Sequence, residues 1–222
     1  MKLPYVACVN YPRSGHHLLV RLLNSVIGEN FRYCSFYNAK QCCGVFPCNN
    51  SKINMSKQHD FNLDSNIPTD TSYIVQYRSF LDAVVSNFEL HIGAHPQRDN
   101  PRGFALFAWR QQDWYNKWLK KWALGEDANR LLLPYATLIE RPDIALQRVA
   151  KLFGIDLSGE DLRQYIDSED HLTVRAGKII RVRNEGVIDR RDVTTFRFYD
   201  PLLFDDLTDA TDPVIDQITE SI

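Results

Sequence analysis

The chain has 222 residues, 44% of them hydrophobic and 24% charged, which is the make-up of one globular domain spanning residues 1–222. This composition excludes a disordered tail, a collagen-like repeat and a bundle of membrane spans. With 26 Lys and Arg against 28 Asp and Glu, the net charge is −2, which argues against a protein that coats nucleic acid non-specifically.

The N-terminal Met1–Val9 stretch is too short and too soon broken for a signal peptide, and no run reaches the length of a membrane span. A cytoplasmic location is expected. Leu3–Val9 is a β-branched apolar run and reads as a buried strand. Asn10-Tyr11-Pro12-Arg13-Ser14-Gly15 then breaks it with turn residues. Leu18, Leu19, Leu22, Leu23, Val26 and Ile27 form a helical stripe that Gly28 stops.

Residues 30–71 are polar and weakly periodic, and read as one long functional loop. The loop carries Cys34, Cys42, Cys43 and Cys48; with Cys8 they make an odd total of five. Metal ligation and a local disulfide are both weighed, but adjacent Cys42 and Cys43 chelate poorly, and free loop thiols are the favoured reading. No metal is expected.

Ser72–Tyr77 is the second clear strand. Ser79 with Asp82 has the pattern of a capping box, and Phe80, Leu81, Val84, Val85 and Phe88 supply the apolar face that follows. Gly103–Ala123 reads as a long helix whose Trp114, Trp118 and Trp122 face the core, with Lys117, Lys120 and Lys121 solvated. Leu131–Tyr135 is a third strand, and Pro142 to Gly154 bounds another helix. Strands alternating with helices predict an α/β three-layer sandwich around a mainly parallel sheet.

A strand, a Gly-containing turn and a helix N-terminus make a phosphate site, because backbone N–H groups converge there and the helix dipole favours anions. Against the pattern G-x-x-x-x-G-K-[ST], His16 and His17 stand where Lys and the Mg²⁺-binding hydroxyl belong. Arg13 supplies the cation earlier in the loop. The cradle therefore suits a nucleotide bound without magnesium, and argues against a P-loop nucleotide or metabolite kinase. Arg78 at the end of the second strand and Ser86 on the next helix can hold a second phosphate, separate from the first.

These segments resemble the sulfotransferases that use 3′-phosphoadenosine 5′-phosphosulfate (PAPS). Tyr11-Pro12-Arg13-Ser14-Gly15-His16-His17-Leu18 is similar to that family's 5′-phosphosulfate loop, Tyr-Pro-Lys-Ser-Gly-Thr-Thr, with Arg replacing Lys and two imidazoles replacing two hydroxyl donors. Arg78 and Ser86 resemble its 3′-phosphate motif. Ser56-Lys57-Gln58-His59-Asp60 resembles its Lys-Thr-His segment, in which the His is the catalytic base.

The resemblance implies His59 as general base, with Arg13 and Lys57 stabilising charge on the leaving 5′-phosphate and the transferred group. It also implies Tyr135 against the adenine and Arg183 closing over the 3′-phosphate, with the Val174–Lys178 segment, which includes Arg175, a rival for that last role. The acceptor would be a small molecule or a glycan, lodged among Phe31–Asp60, where Tyr33, Phe36, Tyr37 and Phe46 are candidate walls, or near His91 and His95. A non-catalytic nucleotide-binding relative is the alternative.

Overall fold

The computed structural model describes residues 3–37, 42–125, 129–158, 162, 171–175, 178–182 and 192–220. Five parallel strands form the central sheet: β1 (Val6–Asn10), β2 (Tyr33–Cys34), β3 (Met55–Gln58), β4 (Ser72–Tyr77) and β5 (Asn129–Pro134). Their order is β2-β3-β1-β4-β5. Cys8 lies opposite Lys57 on one side and Ile74 on the other.

Seven helices are described: α1 (His16–Ile27), α2 (Phe80–Ala94), α3 (Pro101–Trp122), α4 (Tyr135–Glu140), α5 (Pro142–Leu152), α6 (Pro201–Asp209) and α7 (Asp212–Glu220). Strand alternation sends residues to two separate cores. Val6, Cys8 and Ile74 join Leu19, Leu22 and Leu23 of α1 and Leu146 and Val149 of α5. Ala7, Val9, Tyr73 and Val75 join Val84 and Phe88 of α2 and Trp118 and Trp122 of α3. Helices thus cover both faces, as the sandwich expectation requires. A separate antiparallel hairpin pairs β6 (His171–Arg175) with β7 (Lys178–Val182). Among the described residues, no helix is long and apolar enough to cross a membrane.

Three sequence expectations change. The stretch 30–71 is not one loop, since it holds β2 and β3. Ser79 does precede α2, but its side chain makes no capping bond, and Asp82 instead accepts from Arg78 Nε at 3.4 Å. Lys121 is not solvated with its neighbours: it pairs with Asp60 at 2.7 Å, while Lys117 stays exposed beside Asp113.

The topology chooses the site. The chain leaves β1 through α1 towards β2, and leaves β4 through α2 and α3 towards β5, so the connections diverge between neighbouring strands β1 and β4. In such sheets a crevice opens beyond the carboxyl ends of the strands at that switch point.

Candidate active site

Four segments singled out in the sequence follow the carboxyl ends of four parallel strands and meet at one sheet edge. The loop after β1 is anchored by Tyr11, which is fully buried, with Tyr115 edge-on at 4.7 Å and Trp114 at 4.9 Å. Its backbone N–H donates to the Gln76 carbonyl at 2.9 Å, fixing where the loop leaves the sheet. Arg13 (φ 69°) and Gly15 (φ 81°) both take left-handed conformations. At Gly15 the reason is visible: a Cβ there would lie 2.5 Å from Tyr135 Cδ2. Only glycine lets the ring sit against the loop.

The loop has the groups that an anion requires. Ser14 is fully buried, and its hydroxyl has no hydrogen-bond partner among the described residues, a costly arrangement unless a ligand completes it. The first turn of α1 carries no acidic residue to occupy its N–H groups. Leu18 is half-buried and contributes backbone to this turn.

The two histidines divide. His16 points into the interior, with Nε2 2.9 Å from the Tyr33 hydroxyl and Nδ1 3.5 Å from Cys8 Sγ. Burial, then Lys57, drives its pKa well below the ordinary value. The expectation that its imidazole donates to a phosphate is therefore corrected: β2, absent from the sequence reading, supplies the hydroxyl that turns it inward. His17 is exposed. Partial desolvation, then Lys57, Arg13 and Arg21, lowers its pKa, which marks a positively charged setting.

Beyond β4, Arg78 is half-buried; its guanidinium lies over the Tyr135 ring at 4.4 Å, and its carbonyl accepts from the Tyr115 hydroxyl at 2.7 Å. Ser86, on α2, accepts from Arg13 Nε at 2.9 Å. The two anion-binding groups expected to be separate are therefore joined across the crevice. Tyr135 opens α4, where it touches both the glycine of the first loop and Arg78.

Near the carboxyl end of β3, Lys57 is buried at 8% exposure, and desolvation lowers its pKa. Its ammonium sits 5.7 Å from the Tyr37 ring centre, and among the described residues no carboxylate pairs with it. His59 Nδ1 lies 2.7 Å from the carbonyl oxygen of Asn10. Because a carbonyl only accepts, Nδ1 carries the proton and Nε2 keeps its lone pair. Burial, reinforced by Lys57, pushes the His59 pKa down to about 4. The ring is therefore neutral at physiological pH.

The Trp stripe of α3 holds this segment in place. Trp118 Nε1 donates to the His59 carbonyl and Trp122 Nε1 to Asp60 Oδ2, both at 2.8 Å. Asp60 also receives Lys121 Nζ at 2.7 Å and the Ser65 N–H at 3.0 Å. Burial alone would raise the Asp60 pKa, but these bonds hold it below the usual carboxylate range.

Aromatic rings surround His59. Tyr37 stacks on it at 5.2 Å and 21°, and its hydroxyl accepts the His59 N–H at 2.8 Å. Phe61 lies 5.1 Å from the His59 ring and stacks on Trp114 at 5.6 Å. Phe36 touches both Tyr37 and Phe46 edge-on. Of the four expected walls, Tyr37, Phe36 and Phe46 join this surface, whereas Tyr33 is engaged with His16. Phe61 and Trp114 were not anticipated; only the aromatic character of Phe61, two residues beyond His59, signalled it. His91 and His95 lie 4.5 Å apart near the far end of α2, 11 and 15 residues beyond Phe80, or about 16 and 22 Å along the helix from the crevice edge.

Arg183 lies outside the described residues, and Arg175 belongs to β6. Among the described residues, no group of three or more His, Cys, Asp or Glu side chains is arranged to hold a metal ion.

The sulfotransferase domain family model matches residues 6–178. No curated protein matches the sequence. Among solved structures, mouse sulfotransferase SULT7A1 complexed with PAP is similar with a TM-score of 0.51, covering 98% of this chain and 88% of that one. The identity is 16%, so this likeness concerns the fold, an α/β architecture in both proteins. The family match spans far more than half of the sequence and includes the loops after β1, β3, β4 and β5, and by it the chain belongs to the sulfotransferase domain family.

Proposed function

We propose that residues 1–222 act as one domain that moves a sulfuryl group from PAPS to a hydroxyl or amine of a small-molecule or glycan acceptor, with His59 as general base. The observation that carries this reading is the tautomer of His59, whose Nδ1–H is committed to the Asn10 carbonyl and whose Nε2 is left basic. Its lowered pKa keeps that nitrogen unprotonated across the neutral range.

The residues present suit the donor nucleotide: Ser14 offers a buried hydroxyl without a partner among the described residues, and Gly15 leaves a cradle that a side chain would close. The Ser14 hydroxyl, the backbone N–H groups of Gly15, His16, His17 and Leu18, and the cations of Arg13 and Lys57 would hold the 5′ end. Arg78 and Ser86 would hold the 3′-phosphate, with Tyr135 beside them and Arg183 as a further cation for that phosphate. When bound, PAPS supplies an activated sulfuryl group, and adenosine 3′,5′-bisphosphate (PAP) is the product.

In this scheme His59 takes the acceptor's proton at Nε2. Lys57, poorly solvated and without a carboxylate partner among the described residues, stabilises negative charge that builds between leaving group and acceptor. The Asn10 carbonyl stabilises the imidazolium that forms, because its oxygen already accepts from Nδ1. The aromatic surface of Tyr37, Phe61 and Trp114 beside His59 suits an acceptor ring, either an aryl group or the apolar face of a sugar.

The test is incubation with sulfur-labelled PAPS and acceptor pools, with His59→Ala alongside. Label transfer that the variant loses, while PAP binding persists, supports the reading; near-native transfer by His59→Ala removes His59 from the mechanism. Thermal shift separates the neighbouring classes: a native-state ligand at 100 times its Kd adds about 2.7 kcal/mol. Stabilisation by PAP and not by Mg-ATP fits the transferase, the reverse fits a kinase, and PAP binding without transfer fits a non-catalytic relative.

A further inference from the structure

The segment between β2 and β3 brings cysteines together without binding them into the site. Cys43 Sγ lies 3.3 Å from Cys48 Sγ, closer than ordinary sulfur–sulfur contact, and both are reduced. Buried Cys34 hydrogen-bonds with both Cys42 and Cys48, and the Gly44 N–H donates to Cys42 Sγ at 3.3 Å. We infer that Cys43 and Cys48 are a reversible thiol–disulfide site, oxidised by a low-molecular-weight disulfide of the glutathione class.

The two thiols are unequal in the way exchange requires. Cys43 is exposed, whereas Cys48 is only partly accessible. Desolvation opposes ionisation of Cys43, but its hydrogen bonds around Val45, Cys48 and Asn49 outweigh that and hold its pKa below the ordinary thiol value. Burial pushes the Cys48 pKa up. Cys43 is therefore the attacking thiolate and Cys48 the resolving thiol.

The Cys43 thiolate attacks one sulfur of the small disulfide, forming a mixed disulfide and releasing one thiolate, which takes up a proton. Cys48 loses its proton and attacks Cys43 Sγ, releasing the second small thiol. Two protein thiols are oxidised, one small disulfide is reduced to two thiols, and the protons balance. A further approach of little more than 1 Å brings the sulfurs to the bonded distance of about 2.05 Å.

The site has a route to His59. A Cys43–Cys48 bond closes a six-residue ring that contains Phe46, and Phe46 packs on Phe36, Phe36 on Tyr37, and Tyr37 on His59. The same segment is tied to the sheet by the Cys48 N–H, which donates to the Tyr5 hydroxyl at 2.7 Å. Oxidation would thus stiffen the aromatic surface beside the base.

The experiment equilibrates the full chain in glutathione buffers of increasing oxidised fraction, quenches with maleimide under denaturing conditions and maps the peptides by mass. The reactive thiols should fall from the five of the sequence to three, with a Cys43–Cys48 linked peptide and full recovery on reduction. Cys43→Ser should keep its four remaining thiols reactive at every poise, Cys34 and Cys48 included, whereas Cys8→Ser should lose two thiols as the native chain does. Five thiols that stay reactive at every poise overturn the inference. So does linkage of Cys34 to Cys42 in place of Cys43 to Cys48, or one equivalent of zinc in the purified chain that shields these thiols.

Discussion

Arg13 Nε donates to Ser86 Oγ at 2.9 Å, closing the crevice between the loop after β1 and helix α2. Under the proposed function these residues serve opposite ends of one nucleotide, so their bond makes them a coupled pair. Ser86→Ala removes a phosphate contact and also releases Arg13. A double-mutant cycle of Arg13→Ala and Ser86→Ala, read as PAP affinity by calorimetry, should show a coupling energy of about 1 kcal/mol. Strictly additive losses would mean that the two side chains act on separate phosphates.

Under the proposed function, the acid limb of activity reads out the surroundings of His59. With a pKa of about 4, the free enzyme should keep kcat/KM constant as pH falls through 6.5 and lose it only near the lower value. After burial, Lys57 is the largest cause of that depression. Lys57→Gln should therefore move the acid limb upward, besides lowering the rate. An unmoved limb in Lys57→Gln would show that the limb belongs to another group. The same depression has a stability consequence: the His59 contribution is complete above the unfolded pKa of about 6.5 and is lost as pH falls through 4.

Asp60 and Lys121 form the pair that holds the His59 segment against α3. The Asp60 side chain is fully buried and that of Lys121 is 20% exposed. Lys121→Met leaves a buried carboxylate supported only by Trp122 and Ser65, and removal of one member of such a pair costs about 3–5 kcal/mol. Urea unfolding should show a lowered midpoint with an unchanged slope. Because the folded Asp60 pKa is depressed, its contribution is present above the unfolded carboxylate value and disappears as pH falls through the folded one. The gap between native chain and Lys121→Met should accordingly shrink in acid.

Much of this arrangement was legible before any coordinates, and what was not has physical causes. β1 and β4 announce themselves because a parallel strand buried on both faces is a run of apolar residues, as in Val6–Val9 and Tyr73–Val75. β3 hides because its four residues include Ser56, Lys57 and Gln58, and β2 because it has only two residues. Lys57 is buried despite its charge, so hydropathy does not point to it. The Trp stripe was read as core, correctly for Trp118 and Trp122, but helical spacing cannot reveal that their indole N–H groups reach His59 and Asp60. Lys121 shares its polar run with Lys120, and only the chain crossing beneath it separates their roles. His16 was misread because its hydroxyl partner, Tyr33, lies on a strand too short to register.

Gly15 and Tyr135 give the sharpest steric test of the nucleotide cradle. Gly15→Ala adds a Cβ 2.5 Å from the Tyr135 ring and also forces an L side chain to hold φ near 81°. The two penalties can be separated. Tyr135→Ala in the same chain removes the clash but leaves the left-handed backbone, which costs a non-glycine residue about 1–2 kcal/mol. Gly15→Ala should therefore abolish PAP binding and lower the unfolding midpoint, and Tyr135→Ala should recover stability only in part. The double variant should also bind PAP more weakly than Tyr135→Ala alone, because the loop must give up the φ that directs its N–H groups. Full recovery of both readouts would mean that the loop needs space at Gly15 and not its conformation.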